Sequence, residues 1–325
     1  MDRRLIAAGC CLLFPACTAG DAPAAAVKEF HVIEGGFTRG QGPDGNTYIY
    51  DAPDGLVVID TGRHPGHSAL ILEYAKSQGR PITTIINTHW HLDHTTGNRD
   101  ILAAFPEAKV LATDAIEGAL AGFLARGAAE SEAMLAGSAD LSPADRAELQ
   151  RGIAAVRDPE ALLPDIVVAD SARLRVDGRE IEIFVAERAV TAADIWIWDP
   201  ATKTAIIGDL LTMPAPFFDT ACAEGWRAAL DAVEEKPFER VAAGHGPVMS
   251  RADYFVWRKA FDGLLDCARN NDGAACADGW LEGAAAFIAE KDQGLARAMA
   301  VYYVDEIIRS PAKTAEFCGP GKAPD

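Results

Sequence analysis

Thr88-His89-Trp90-His91-Leu92-Asp93-His94 follows directly on the apolar run Ile82-Thr83-Thr84-Ile85-Ile86, and its reading decides the fold. Three imidazoles and a carboxylate fall within six residues, in a 325-residue chain that has seven histidines. Alternating residues at a strand end, followed by a tight turn, can aim all four side chains into one small volume. Imidazole nitrogen with carboxylate oxygen suits zinc, and less well iron or manganese. A solvated loop that holds no metal is the plain alternative, and it leaves this concentration of ligand-type side chains unexplained.

The segment has the His-x-His-x-Asp-His form of the metallo-β-lactamase superfamily, and the chain resembles that family over a longer stretch. Leu56-Val57-Val58-Ile59-Asp60-Thr61-Gly62 is similar to the family's early strand and its Asp-Thr-Gly turn. Ala205-Ile206-Ile207-Gly208-Asp209 is similar to the strand that delivers a metal-bridging aspartate. Val241-Ala242-Ala243-Gly244-His245-Gly246-Pro247 is similar to the strand and turn with the last histidine. Order and spacing agree across roughly residues 28 to 250. The resemblance implies an α/β fold, the four-layer αβ/βα sandwich, with two sheets face to face and a metal site at their shared edge.

It also implies two unequal metal positions. The family's Gly-His-Thr segment corresponds here to Ala189-Val190-Thr191-Ala192-Ala193-Asp194, followed by the strand Ile195-Trp196-Ile197-Trp198. Val190 therefore stands in the histidine's place, and no histidine lies between His94 and His245. The first position keeps His89, His91 and the bridging Asp209. The second keeps Asp93, His94, Asp209 and His245, a full protein set for zinc. One tight zinc is expected in the second position, with the first weak or absent. Glu187 is the nearest side chain that could substitute for the missing imidazole, although it reads more simply as a strand-end carboxylate.

Chemistry follows from the ligands. A bound divalent metal lowers the pKa of its water to about 7 and polarises a carbonyl or phosphoryl oxygen. Asp93, as ligand or near-ligand, is the expected catalytic carboxylate that orients this water and takes up its proton. The family places an aspartate like Asp60 beneath the site, holding a ligand ring; a turn-capping role before Thr61-Gly62 is the alternative. Met213-Pro214-Ala215-Pro216-Phe217-Phe218 follows Asp209 and is expected to border the pocket, with Met213 and Phe217 in an apolar wall. Trp90 reads as another wall or as a strand anchor. His31 belongs to a strand Phe30–Ile33, whereas His64 and His67 read as loop histidines without a role, or alternatively as substrate contacts.

Arg3-Arg4 before the apolar stretch Leu5 to Ala16 predicts a secretion signal over residues 1–20, followed by an Ala/Pro-rich linker over 21–27. Cys17, after Leu13-Phe14-Pro15-Ala16, loosely resembles a lipoprotein attachment point, so a free periplasmic protein and one anchored through Cys17 both stand. No later run is long enough to span a bilayer. Beyond the leader lie Cys222, Cys267, Cys276 and Cys318, an even number that predicts two disulfides in an exported chain, with three pairings possible. Cys267 with Cys276 would close the loop Asn270-Asn271-Asp272-Gly273, and Cys222 with Cys318 would then pin the C-terminus to the loop after Asp209. Four free thiols, or a metal role for Cys222, are the alternatives.

A single large domain over 28–250 is expected, with a helical insertion at about 113–160 and a C-terminal helical extension over 251–325 packed on it. The insertion reads as a lid or as a plain stabilising element. Ser142-Pro143-Ala144-Asp145 marks a helix start, Asp177-Gly178 a hairpin turn, and Trp257, Phe261, Leu264 and Leu265 one buried helix face. Net charge is −18, without any basic cluster. That weighs against the nucleases that share this fold and against attachment to anionic lipid. The stretch Gly208 to Trp226 also resembles, more loosely, exported zinc metallohydrolases of the quinoprotein relay group. The leading expectation is an exported hydrolase whose metal-bound hydroxide attacks an ester, lactone, thioester or amide bond of a small organic substrate. A metal-binding accessory protein without catalysis is the alternative, and a β-lactamase or an iron-dependent oxidative enzyme ranks lower.

Overall fold

In the computed structural model, which describes residues 30–38, 41–138 and 140–319, the apolar runs of the sequence become two six-stranded sheets. The predicted signal over 1–20 with Cys17, and the linker over 21–27, lie outside the described residues. After β1 (His31–Ile33) the chain makes a short ribbon from β2 (Phe37–Thr38) and β3 (Gly42–Pro43). Then β4 (Thr47–Asp51), β5 (Leu56–Ile59), β6 (Ile82–Ile86), β7 (Lys109–Ala112) and β8 (Ile166–Val167) join β1 in the order β1-β4-β5-β6-β7-β8. The second sheet runs β9 (Ala172–Val176), β10 (Arg179–Glu187), β11 (Ala193–Asp199), β12 (Thr204–Gly208), β13 (Arg240–Ala243) and β14 (Met249–Ser250), each beside its sequence neighbour. The hairpin β9–β10 turns on Asp177 and Gly178, whose φ values of 46° and 84° are the left-handed pair that a two-residue turn requires.

Parallel pairing forces crossovers. Between β5 and β6 the chain makes α1 (Pro65–Gln78), and between β6 and β7 it makes α2 (Leu92–Thr95) and α3 (Asn98–Ala104). The predicted insertion forms α4 (Ala115–Ala121), α5 (Phe123–Gly137) and α6 (Pro143–Arg157). Ser142 caps α6 by accepting from the Asp145 amide, with Pro143 at the first position. The parallel pair β12–β13 is joined through α7 (Ala223–Glu234). The C-terminal extension then contributes α8 (Arg251–Ala268), α9 (Gly273–Gly283), α10 (Gln293–Tyr302) and α11 (Pro311–Cys318).

Strand alternation sorts the side chains into layers. Val57 and Ile59 of β5 point into a core shared with Ile195 and Ile197 of β11, so the two sheets are face to face. Leu56 and Val58 point the other way, onto Ile71 of α1 and Ile101 of α3. Trp196 and Trp198 of β11 likewise turn outward, into a core with Trp226, Trp257, Phe261 and Trp280 from the helices. The result is the four-layer αβ/βα sandwich. Four of these indoles, Trp196, Trp226, Trp257 and Trp280, are fully buried, and truncating one of them to alanine costs about 3–5 kcal/mol.

Cys222 is bonded to Cys318 and Cys267 to Cys276. The Cys222 sulfur is therefore committed to a disulfide, which removes its alternative reading as a metal ligand. Among the described residues no helix is long and apolar enough to cross a membrane.

Candidate metal centre

Strands β5, β6, β12 and β13 end at one edge, and Asp60, Thr88-His89, Asp209 and Gly244-His245 follow directly on them. Strand ends are rigid platforms, so the side chains they carry hold a fixed geometry. Asp60 takes a left-handed backbone, φ 57°, that costs a non-glycine residue about 1–2 kcal/mol. Its carboxylate offsets that cost by accepting three hydrogen bonds, from the Thr88 amide (2.8 Å), the Thr88 hydroxyl (2.7 Å) and His94 Nδ1 (2.8 Å). Glycines make room for the ring and the bridging carboxylate. A Cβ on Gly45 would stand 2.4 Å from the His94 ring, and one on Gly244 would stand 2.0 Å from Asp209 Oδ1.

Proton counting fixes the ring tautomers. A hydroxyl has one proton to give. Thr88 gives its proton to Asp60, so at 3.0 Å it must accept from His89 Nδ1–H. Thr220 gives its proton to the Val190 carbonyl (2.9 Å), so at 2.8 Å it must accept from His91 Nε2–H. Asp60 can only accept, so His94 donates from Nδ1. With the rings neutral, His89 Nε2, His91 Nδ1 and His94 Nε2 all present lone pairs to the same volume. His89 Nε2 faces His91 Nδ1 at 3.0 Å, lone pair against lone pair, an arrangement that a cation relieves.

Two donor groups result, each with its atoms within 4.8 Å of one another: His89, His91 and Asp209, and Asp93, His94 and His245. Asp209 joins them. Its Oδ2 lies 3.5 Å from His89 Nε2 and 3.9 Å from His91 Nδ1, while its Oδ1 lies 3.1 Å from His94 Nε2 and 3.6 Å from His245 Nε2. Asp209 Oδ1 is buried and accepts no hydrogen bond among the described residues. Nitrogen and carboxylate donors around an orphaned buried oxygen are the chemistry of a zinc-type site.

The electrostatics agree. Burial pushes the Asp209 carboxyl up, but the charges of His94, His245 and His89 outweigh it and hold the group well below the carboxylate range. Burial likewise opposes ionisation of Asp93, and His94 and His245 again prevail. Burial would strip the protons from His94 and His245, yet Asp209 with its neighbouring carboxylates holds both above the ordinary histidine value. His91 is pushed down by burial and by His89. The metal-free centre thus balances buried carboxylates with histidine protons, which a metal ion must displace.

Beside the donors lies a cavity of about 680 Å³, lined by His91, Asp93, Asp209 and His245 on one side. Met213 and Phe217 line it, as the sequence suggests, whereas Trp90 packs with Ile116 and Leu124 and stands edge-on to His91 as an anchor. Glu187 ends β10 with its side chain 77% exposed and stands in neither donor group. Val190 is buried, and its carbonyl rather than its side chain serves the centre, through Thr220. His31 stacks on Tyr74. His64 stands in the loop just before Pro65 starts α1, as the sequence reading has it, and bonds Asp44; His67 instead lies in the first turn of α1, buried against Thr47. The sequence reading missed Thr220, whose only signal is a hydroxyl between Asp219 and the disulfide-bonded Cys222. It also missed the cavity wall from residues 287–299, which reads locally as ordinary helix surface.

The family described as the metallo-beta-lactamase superfamily matches residues 40–245. Among curated proteins, a hydroxyacylglutathione hydrolase of Erythrobacter litoralis is 39% identical over 82 residues, 25% of this chain and 27% of that protein. An (R)-specific secondary-alkylsulfatase of Pseudomonas sp. is 28% identical over 231 residues, 62% of this chain and 33% of that protein. The chain therefore spans a third or less of the length of these relatives. A solved stereoselective inverting sec-alkylsulfatase from Pseudomonas sp. superposes with a TM-score of 0.54 at 19% identity, over 86% of this chain and 51% of that one. That likeness shows the fold.

Proposed function

Since this chain belongs to the metallo-β-lactamase superfamily, we propose that it is an exported metal-dependent hydrolase, cleaving an ester, lactone, thioester or amide bond of a small organic substrate. The observation that carries the reading is the convergence of Asp93, His94, Asp209 and His245 beside an open cavity, around a buried carboxylate oxygen that has no donor. These four residues would hold the tighter metal, zinc by the chemistry of the set. His89, His91 and the other oxygen of Asp209 would hold a second ion more weakly, because Val190 offers no donor where the resemblance places a third imidazole.

A bound divalent metal supplies a water acidic enough to attack near neutral pH and polarises the oxygen of the scissile group. The chain's own residues do the remainder. Asp93 lines the cavity with Oδ2 3.0 Å from His245 Nε2, where it orients the nucleophile and takes up its proton. Asp60, Thr88 and Thr220 keep the rings of His94, His89 and His91 in the tautomer that presents a lone pair. Relatives named as a hydroxyacylglutathione hydrolase, an alkylsulfatase and a thioesterase support hydrolysis and widen the bond class to include sulfate esters. The two disulfides support export into an oxidising compartment.

The test is metal stoichiometry on chelator-dialysed, zinc-reconstituted protein, followed by a panel of aryl esters, lactones, thioesters, amides and alkyl sulfates. One tight zinc per chain, with turnover abolished in folded Asp93→Ala and His245→Ala variants, is the expected result. A zinc-loaded protein inert to the whole panel would replace the hydrolase with the metal-binding accessory reading.

A further inference from the structure

We infer that the substrate carries an uncharged apolar arm, and that the C-terminal segment 287–299, outside the family-matched region, is the surface that selects it. The inference rests on the hydrolase reading only for the identity of the bond that is cut. One side of the cavity is the donor cluster. The others are apolar: Phe37 on the β2–β3 ribbon, Met213 and Phe217 after Asp209, and Ile288, Leu295 and Met299 from the extension. Leu295 and Met299 stand four residues apart on α10, so they form one stripe along the cavity side. Ala296 and Ala300, on the other face of the same helix, are buried in the outer core. Leu295 remains 38% exposed and Phe37 58% exposed, so among the described residues nothing fully covers either apolar surface.

Charge on the wall supports a neutral arm. Arg63 lines the cavity but is paired with Glu148 at 3.3 Å. Lys291 and Asp292 are adjacent residues of opposite sign, so together they favour neither an anion nor a cation. The wall is also held in place rather than hinged. Trp280 Nε1 donates to the Pro214 carbonyl at 3.0 Å, Tyr303 packs edgewise on Phe217, and Cys318 ties α11 to Cys222 just before α7. A preformed surface costs no ordering when an arm lies on it. The cavity, at about 680 Å³, falls within the ~300–1,000 Å³ of ordinary small-molecule sites. It therefore has room for several carbons beyond the reacting group.

The experiment uses the full zinc-loaded chain and two readouts. Calorimetry measures binding of butyrate, hexanoate, octanoate and octanedioate, and p-nitrophenyl esters of the first three report turnover. Each added methylene that leaves water should improve affinity and kcat/KM up to about fourfold. Octanedioate, with a charge at the far end, should bind more weakly than octanoate. Leu295→Asn, at an exposed position, and Leu295→Asn/Met299→Asn should flatten the series, with the circular dichroism spectrum of Leu295→Asn unchanged. A flat wild-type series, a slope that survives the double variant, or octanedioate equal to octanoate would each overturn the assignment. Chain-length-dependent binding without any turnover would sink the hydrolase reading and leave the arm assignment standing. Turnover without chain-length dependence would do the reverse.

Discussion

Thr220→Val removes one hydroxyl at nearly constant volume, and the structure sets what that should cost. In the wild-type chain this buried oxygen accepts from His91 Nε2 at 2.8 Å and donates to the Val190 carbonyl at 2.9 Å. The variant leaves a buried N–H and a buried carbonyl without partners, each worth about 1–3 kcal/mol, so the metal-free protein should lose on the order of 2–6 kcal/mol. His91 is then no longer held with its proton on Nε2. It can place the proton on Nδ1, the atom that faces His89 and Asp209, and metal binding there must first expel it. Loss of such a supporting contact typically weakens metal affinity about 10–100-fold. The effect should fall on the position formed by His89, His91 and Asp209 and spare the one formed by Asp93, His94 and His245. Zinc competition against a chromophoric chelator resolves the two as separate phases, and urea melts report stability. Thr220→Ser should retain both. A folded Thr220→Val protein with an unshifted weaker phase, or with the tighter phase shifted instead, would refute the tautomer argument.

Val190→His should convert one tight zinc per chain to two, measured by elemental analysis after dialysis; unchanged stoichiometry and affinity would mean that Val190 does not stand at the missing ligand's place. Cys222→Ser/Cys318→Ser should cost about 4–5 kcal/mol and Cys267→Ser/Cys276→Ser about 2–3 kcal/mol, because the first bridge closes a 96-residue separation and the second one of 9. Denaturant midpoints showing the opposite order would reject the chain-entropy account. Burial pushes the Asp194 carboxyl up to about 6 from 3.8, against the hydrogen bonds it accepts from Thr191. The folded chain therefore holds that proton more tightly than the unfolded one. Its contribution, about 3 kcal/mol, is complete below about pH 4 and is lost as pH rises through about 6. Wild type should lose that amount relative to Asp194→Asn between about pH 4 and pH 7, and parallel stability curves would contradict the assignment.

What could be read from the sequence was whatever local spacing encodes. The donors His89, His91, Asp93 and His94 sit within six residues, and Asp209 and His245 each follow an apolar strand, so their convergence needed only the sheet to form. The Asp177-Gly178 turn, the Ser142 cap and the buried stripe of Trp257, Phe261 and Leu264 were legible for the same reason. Pro65 carried a helix-start signal too, but the neighbouring histidines drew it into a loop reading. Thr220 could not be found this way. It lies 129 residues from His91, and a lone threonine has no pattern until the fold brings the two together. The cavity face of α10 was hidden differently: Leu295 and Met299 look like ordinary helix residues, and only tertiary placement brings both to the cavity wall.

These two kinds of information separate along the chain. The donor side chains follow the ends of β6, β12 and β13, with Asp93 and His94 on α2, and a strained Asp60 and close glycines hold them tightly packed. Residues that face the substrate's far end stand on helices added after residue 250, joined to the site through Trp280, Tyr303 and the Cys222–Cys318 bond. A change at Leu295 alters the wall without touching a donor, because Ala296 and Ala300, with Met299 packed against the same core, anchor α10. On the proposed reading, the extension sets the substrate's arm without disturbing the donors. On the same reading, likeness in the strand-end motifs speaks for hydrolysis, and the apolar wall of Phe37, Met213, Phe217 and the extension speaks for what the bond is attached to.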